Sequence, residues 1–161
     1  MSTDKKSIIR EKLTRTRAEL MAFIQQVDEA TWQKEVYSEG DHWTMADILR
    51  HLVDAERGMT RLMIRIQEGH EGVPPDFDQA RWNRRAIEKS RQKSIQELIE
   101  EMSENRQQLL AFIETIQPDD WQKKGRHASL RILSIEEICH LIADHEERHL
   151  RDMRQVAGVT A

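Results

Sequence analysis

The sequence predicts an all-α protein, a four-helix bundle with a long connection between its second and third main helices. Three observations carry that expectation. Glycine and proline are scarce, six and three in 161 residues, so few positions interrupt a helix. Alternation of apolar and polar residues, the mark of a half-buried strand, is nearly absent. Four segments of about twenty residues instead set their apolar side chains at helical spacing. The length suits a single domain over residues 1–161 with one sizeable core.

The first helix is expected over 5–27, where Ile9, Leu13, Leu20, Phe23, Ile24 and Val27 recur on one face. "YSEGDHW" then breaks the chain, and Thr44 is placed to cap a second helix over 45–67. That helix buries Ile48, Leu52, Ala55, Met59, Leu62, Met63 and Ile66. "EGHEGVPPDF" is a loop signal, followed by a short helix in "FDQARWNRRAI". The third main helix is expected over 94–116, before Pro118. The fourth starts at Ser134, with Glu137 three residues on completing a capping box, and ends near Gly158. "LMAFIQQVDEATWQK" (20–34) echoes "LLAFIETIQPDDWQK" (109–123). Each closes one helix and leads into the next, so the two halves are expected to be related by a pseudo-two-fold axis.

Composition narrows the function classes. A formal net charge of −4 offers no overall attraction to nucleic acid. No apolar run approaches the roughly 18 residues of a membrane span. The start, "MSTDKKSIIREKL", lacks the apolar core of a secretory signal. Cys139 is the only cysteine, so no internal disulfide forms and a cytoplasmic home is expected. It lies beside the apolar arc of the fourth helix and reads as a small core residue.

The histidines carry the chemistry. His145 and His149 are four residues apart, about 40° apart on a helical wheel, in the middle of the arc defined by Ile138, Ile142 and Met153. Burying two unpaired imidazoles costs about 1–3 kcal/mol each. Either internal hydrogen bonds or one metal ion, which an i, i+4 pair can share, accounts for them. His51 sits at the edge of the second helix's arc and is the third candidate ligand. Three imidazoles and one open position form a catalytic-style coordination set. His140 falls on the opposite, outer side, and His42, His70 and His127 fall in expected loops. Arg106 and Glu56 also point inward. Either they pair with each other, or Arg106 meets a carboxylate of a ligand while Glu56 orients a ligand histidine from behind.

"HEERH" (145–149) fits the H-E-x-x-H pattern of zinc proteases, in which Glu146 would be the general base. Twelve residues follow His149, too few for a downstream third ligand. Asp152 lies on the same helix and is poorly placed, and no strand is expected to hold an extended peptide. A protease is therefore not the expected reading, and Glu146 is expected to be a neighbour of the site.

Four segments in order resemble the DinB/YfiT-like superfamily of bacterial four-helix-bundle proteins, over about residues 13–156. "HWTMADILRHLVDAE" is similar to the family's aromatic, helix cap and first ligand histidine, "FDQARWN" to the segment after the long loop, "ENRQQLLAFI" to the arginine-bearing third helix, and "LSIEEICHLIADHEERHLRDM" to the last helix with its H-x-x-x-H pair. The resemblance implies a divalent metal, zinc or nickel, held by His51, His145 and His149, and a homodimer. It implies an enzyme acting on a small-molecule substrate. The activities it suggests are thiol-dependent S-transferase-like chemistry with a low-molecular-weight thiol, a metal-dependent hydrolase, or a non-catalytic metal-binding stress-response protein. Asp152–Met153 departs from the family, which often has glutamine there.

Overall fold

The computed structural model describes residues 4–38 and 41–158. Its main helices are α1 (Lys5–Ile24), α3 (Met45–Gln67), α5 (Ile95–Thr115) and α6 (Ile135–Ala157). A one-turn helix, α2 (Glu29–Trp32), follows α1, and α4 (Gln79–Ser90) occupies the long connection. Caps fix the starts. Thr44 accepts from the Asp47 amide at 3.0 Å, and Ser94–Glu97 and Ser134–Glu137 form capping boxes. Gly158 closes α6 at φ +71°, a left-handed position suited to glycine.

Two expectations are corrected. Helix α1 ends at Ile24, not at 27; Val27 lies beyond the cap yet still packs on the core, so helical spacing of apolar residues continues past the helix. Strands are present: β1 (Glu35–Ser38) pairs antiparallel with β2 (Asp41–Thr44), and β3 (Lys124–Arg126) with β4 (Ile132–Ser134). Three or four residues are too few to carry an alternation signal. Residues 39–40 of the "YSEGDHW" break lie outside the described residues.

Helices joined by a hairpin, α1 with α3 and α5 with α6, sit diagonally. Helix α1 packs on α6 and α5, and α3 packs on α5 and α6. Lys5–Glu136 (3.1 Å) and Thr16–Glu146 (2.9 Å) show α1 and α6 running parallel. Gln67–Thr115 (3.2 Å) and Arg106–Glu56 (2.9 Å) show the same for α3 and α5. Helices α3 and α6 are antiparallel, with His51 beside His145 and Met63 beside Cys139.

Both halves have one plan: helix, short helical segment with a buried tryptophan (Trp32 or Trp121), hairpin, capped helix. The Lys34 carbonyl accepts from Met45 at 2.9 Å, and the Lys123 carbonyl accepts from Ile135 at 3.0 Å. The long connection is tied down at β3, where Val73 donates to the Arg126 carbonyl and Arg126 to that of Glu71. Gly72, at φ +98°, permits this approach, since a Cβ there would lie 2.4 Å from the Arg126 backbone.

The interior is two apolar cores separated by a charged layer. One core gathers Leu13, Met63, Leu109, Phe112, Trp121 and Ile138; the other gathers Leu20, Phe23, Trp32, Ile48, Leu98 and Met153. Between them lie Arg17, Glu56, Arg106 and Glu146, one from each main helix. Arg17 Nε donates to Glu146 at 3.0 Å, as Arg106 Nε does to Glu56 at 3.1 Å. Arg17 Nη1 donates to the Met102 carbonyl at 3.2 Å, and Arg106 Nη1 to that of Leu13 at 2.9 Å. Arg17 Nη2 also reaches Glu56 at 3.1 Å. The two-fold relation is therefore kept atom by atom. Burial works against the Arg106 charge, but its bonds to Glu56 and the field of Glu56 and Glu146 outweigh that, and its pKa rises. Removing one partner from such a layer strands a buried charge. Arg106→Leu or Arg17→Leu is expected to cost about 3–5 kcal/mol of unfolding free energy, measured by urea denaturation.

Candidate metal centre

Helix α3 carries His51 seven residues after its N-cap Thr44, and α6 carries His145 and His149 eleven and fifteen residues after its N-cap Ser134. The antiparallel packing of the two helices brings the three rings together. His145 Nε2 lies 3.2 Å from His51 Nε2 and 3.1 Å from His149 Nε2. All three potential ligand atoms fall within 4.8 Å of one another. The rings meet edge to face at centroid distances of 4.5–5.0 Å. His51, His145 and His149 are 3%, 8% and 0% exposed. Trp43, delivered by β2, walls the cluster, with its ring 5.0 Å from His51 and 6.5 Å from His149.

A neutral imidazole nitrogen carries one hydrogen or one lone pair. His145 Nε2 therefore cannot make full hydrogen bonds to both neighbours. Three lone pairs converging on one point are satisfied together by one cation. In a tetrahedral zinc site with Zn–N near 2.0–2.1 Å, neighbouring nitrogens lie about 3.3 Å apart, close to the spacings here. The donor set fits a divalent ion.

The pseudo-symmetry supplies an internal control. Counted from the caps, His51 corresponds to Leu141, and His145 and His149 correspond to Ala55 and Met59. Trp43 corresponds to Leu133. These counterparts all belong to the other apolar core. The bundle can therefore pack this position with hydrocarbon, and only one of the two equivalent positions carries imidazoles.

The other polar residues singled out from the sequence lie in the charged layer. Glu56 accepts two bonds from Arg106 and one from Arg17. Glu146 takes Arg17 Nη2 at 2.9 Å, Thr16 Oγ1 at 2.9 Å and Arg106 Nη2 at 3.5 Å. All three side-chain nitrogens of Arg106 are engaged within the protein. His140 lies away from the cluster, against Lys12. His127 is buried beside Ser129, and His42 lies on β2 and pairs with Glu35 at 2.7 Å. Arg17 and Thr16 escaped the sequence reading. The signal for Arg17 was its position in the internal repeat, where it aligns with Arg106.

Cys139 is fully buried, 3.6 Å from the Met63 sulfur. Burial, with the nearby Glu136 charge, pushes its thiol up to about 12. Native protein is therefore expected to resist alkylation by iodoacetamide at pH 8, and unfolded protein to react fully, as read by intact-mass spectrometry.

Comparison with known proteins agrees with this architecture. No curated protein sequence matches the chain. YfiT from Bacillus subtilis, a probable metal-dependent hydrolase with an unusual four-helix bundle topology, superposes with a TM-score of 0.75 at 16% identity, over 99% of this chain and 91% of that one. The colibactin self-resistance protein ClbS, solved in complex with a dsDNA, gives 0.71 at 13% identity over 97% of each chain. The mycothiol-dependent maleylpyruvate isomerase gives 0.69 at 19% identity, over 90% of this chain, which spans only 60% of the isomerase. At these identities the likeness is one of fold. The sequence pattern of the DinB superfamily matches residues 9–153, and the chain belongs to that superfamily.

Proposed function

We propose that this chain is a metal-dependent enzyme whose divalent ion, zinc or nickel, is held by His51, His145 and His149. The observation that carries the reading is the convergence of three buried imidazole nitrogens within 4.8 Å at one of two pseudo-equivalent positions. Such an ion supplies Lewis acidity that lowers the pKa of a thiol or a water. The chain's own residues do the rest. Trp43 shields one side of the histidines, while the charged layer fixes the helices that present them. Glu56 and Glu146 hold that layer from the ligand helices α3 and α6, and Arg106 braces both. Cys139 takes no part.

The activity favoured is thiol-dependent S-transfer to a small electrophile, by analogy with the mycothiol-dependent isomerase of similar fold. A metal-dependent hydrolase is the second reading. It draws on YfiT, whose likeness covers nearly the whole of both chains rather than part of one. A homodimer and a cytoplasmic setting belong to the same proposal. No described helix is long and apolar enough to cross a membrane.

Elemental analysis of native protein, joined to a screen of low-molecular-weight thiols against an electrophile panel, tests the reading. One equivalent of zinc or nickel and thiol-dependent turnover are expected. Metal without such turnover favours the hydrolase or a non-catalytic metal-binding protein. Chelated protein is expected to gain about 2.7 kcal/mol of stability when the ion is restored at a hundredfold excess over its Kd. His51→Ala should abolish that gain in a thermal melt. Absence of bound metal, with no stabilisation by added zinc or nickel, contradicts the proposal.

A further inference from the structure

The chain's net charge of −4 conceals a strong local excess of the other sign. Residues 79–93, which are α4 and its exit, contain six Lys or Arg and one Glu. Arg81, Arg84, Arg85, Glu88 and Lys89 are exposed. Arg91 pairs with Asp47 and Lys93 with Glu101. Among the described residues, no ion pair is recorded for Arg81, Arg84, Arg85 or Lys89. Helix α4 buries Ile87 against the bundle. Arg81, Trp82, Arg85 and Lys89 fall within about 100° of one another on the opposite side, and Arg81 to Lys89 forms a row about 12 Å long.

Trp82 stands at the edge of this face, 53% exposed, its side chain reaching back to Asp54 of α3. Its position is built. The indole N–H donates to Asp54 at 2.9 Å, and Phe77 lies 5.8 Å away, ring to ring. Arg50 anchors the end of α4 through the carbonyls of Ser90 (3.1 Å) and Arg91 (3.3 Å). The helix is held as a fixed platform, with exposed Trp82 backed by half-buried Phe77 beside a row of cations that have no ion-pair partner among the described residues.

We propose that this face of α4 docks single-stranded nucleic acid, with bases stacked on Trp82 and phosphates along Arg81, Arg85 and Lys89. Sequence-tolerant strand binding uses this combination of aromatic surface and cationic track. A membrane surface would ask for a broad apolar face, and Trp82 is the only large apolar side chain exposed on α4. An acidic protein would use the cations but not the aromatic platform. The proposal is independent of the metal centre.

Fluorescence anisotropy of labelled dT20 with the full chain tests it. Three phosphate contacts predict a salt slope near −2, so affinity should fall about twentyfold between 50 and 200 mM NaCl. Arg81→Glu combined with Arg85→Glu should weaken binding more than tenfold and flatten that slope. Trp82→Ala should weaken it at least fivefold with the slope unchanged, and Trp82→Phe should restore most of the loss. Circular dichroism checks that each variant is folded. No binding at 50 mM NaCl overturns the proposal, as does binding indifferent to these substitutions. So does displacement of dT20 by poly-glutamate or by anionic vesicles at equal charge concentration, or equal affinity for a duplex of the same length.

Discussion

The structure depends on an interior layer of four charges, three of them buried. Arg17, Glu56, Arg106 and Glu146 come from the four main helices and meet near the pseudo-two-fold axis. Each guanidinium bonds to the other three main helices, two of them through carboxylates and the third through a helix carbonyl. Such a layer tolerates one register only, because a slip by a turn would strand a charge in hydrocarbon. It ties all four helices together even though those joined by a hairpin, α1 with α3 and α5 with α6, lie diagonally. The Nε bonds Arg17–Glu146 and Arg106–Glu56 join neighbours in space, Arg17–Glu56 and Arg106–Glu146 reach across the diagonals, and the hairpins carry the chain across.

Against this symmetric frame, the histidine cluster is an asymmetry. Glu56 and Glu146 sit at the same distance from their helix caps, as do Thr44 and Ser134 from their strands. The same count places imidazoles at His51, His145 and His149, and leucine, alanine and methionine at the counterparts. Packing alone does not call for this difference. The proposed coordination does, because it needs a convergent set of lone pairs on facing helices. The charged layer lies next to the cluster in sequence, since Glu146 follows His145 directly. The residue that made "HEERH" look like a protease motif is engaged in holding the bundle together.

Much of this was legible in the sequence. Helical spacing gave the four main helices to within a few residues, and wheel positions turned His145 and His149 inward and His140 outward. The inward placement of Arg106 and Glu56 could also be read, though not the size of their network. A single arginine on α1 reads as a surface residue until the repeat aligns it with Arg106. The hairpins stayed hidden because "KGR" or "EVYS" has no period to detect. Net charge is a coarser signal. Averaged over 161 residues it is negative, whereas α4 concentrates cations on one exposed face. Charge acts locally when the Debye length is about 8–10 Å, so the segment matters more than the sum.

The central claim is that the histidines serve coordination and not packing. The most direct measurement replaces the cluster with its own counterpart, His51→Leu, His145→Ala and His149→Met together, and compares metal-free unfolding free energies with and without added zinc. The account predicts a folded variant at least as stable as the metal-free parent, and no stabilisation by zinc. A variant markedly less stable than the metal-free parent, or one that zinc still stabilises as it does the parent, would contradict it.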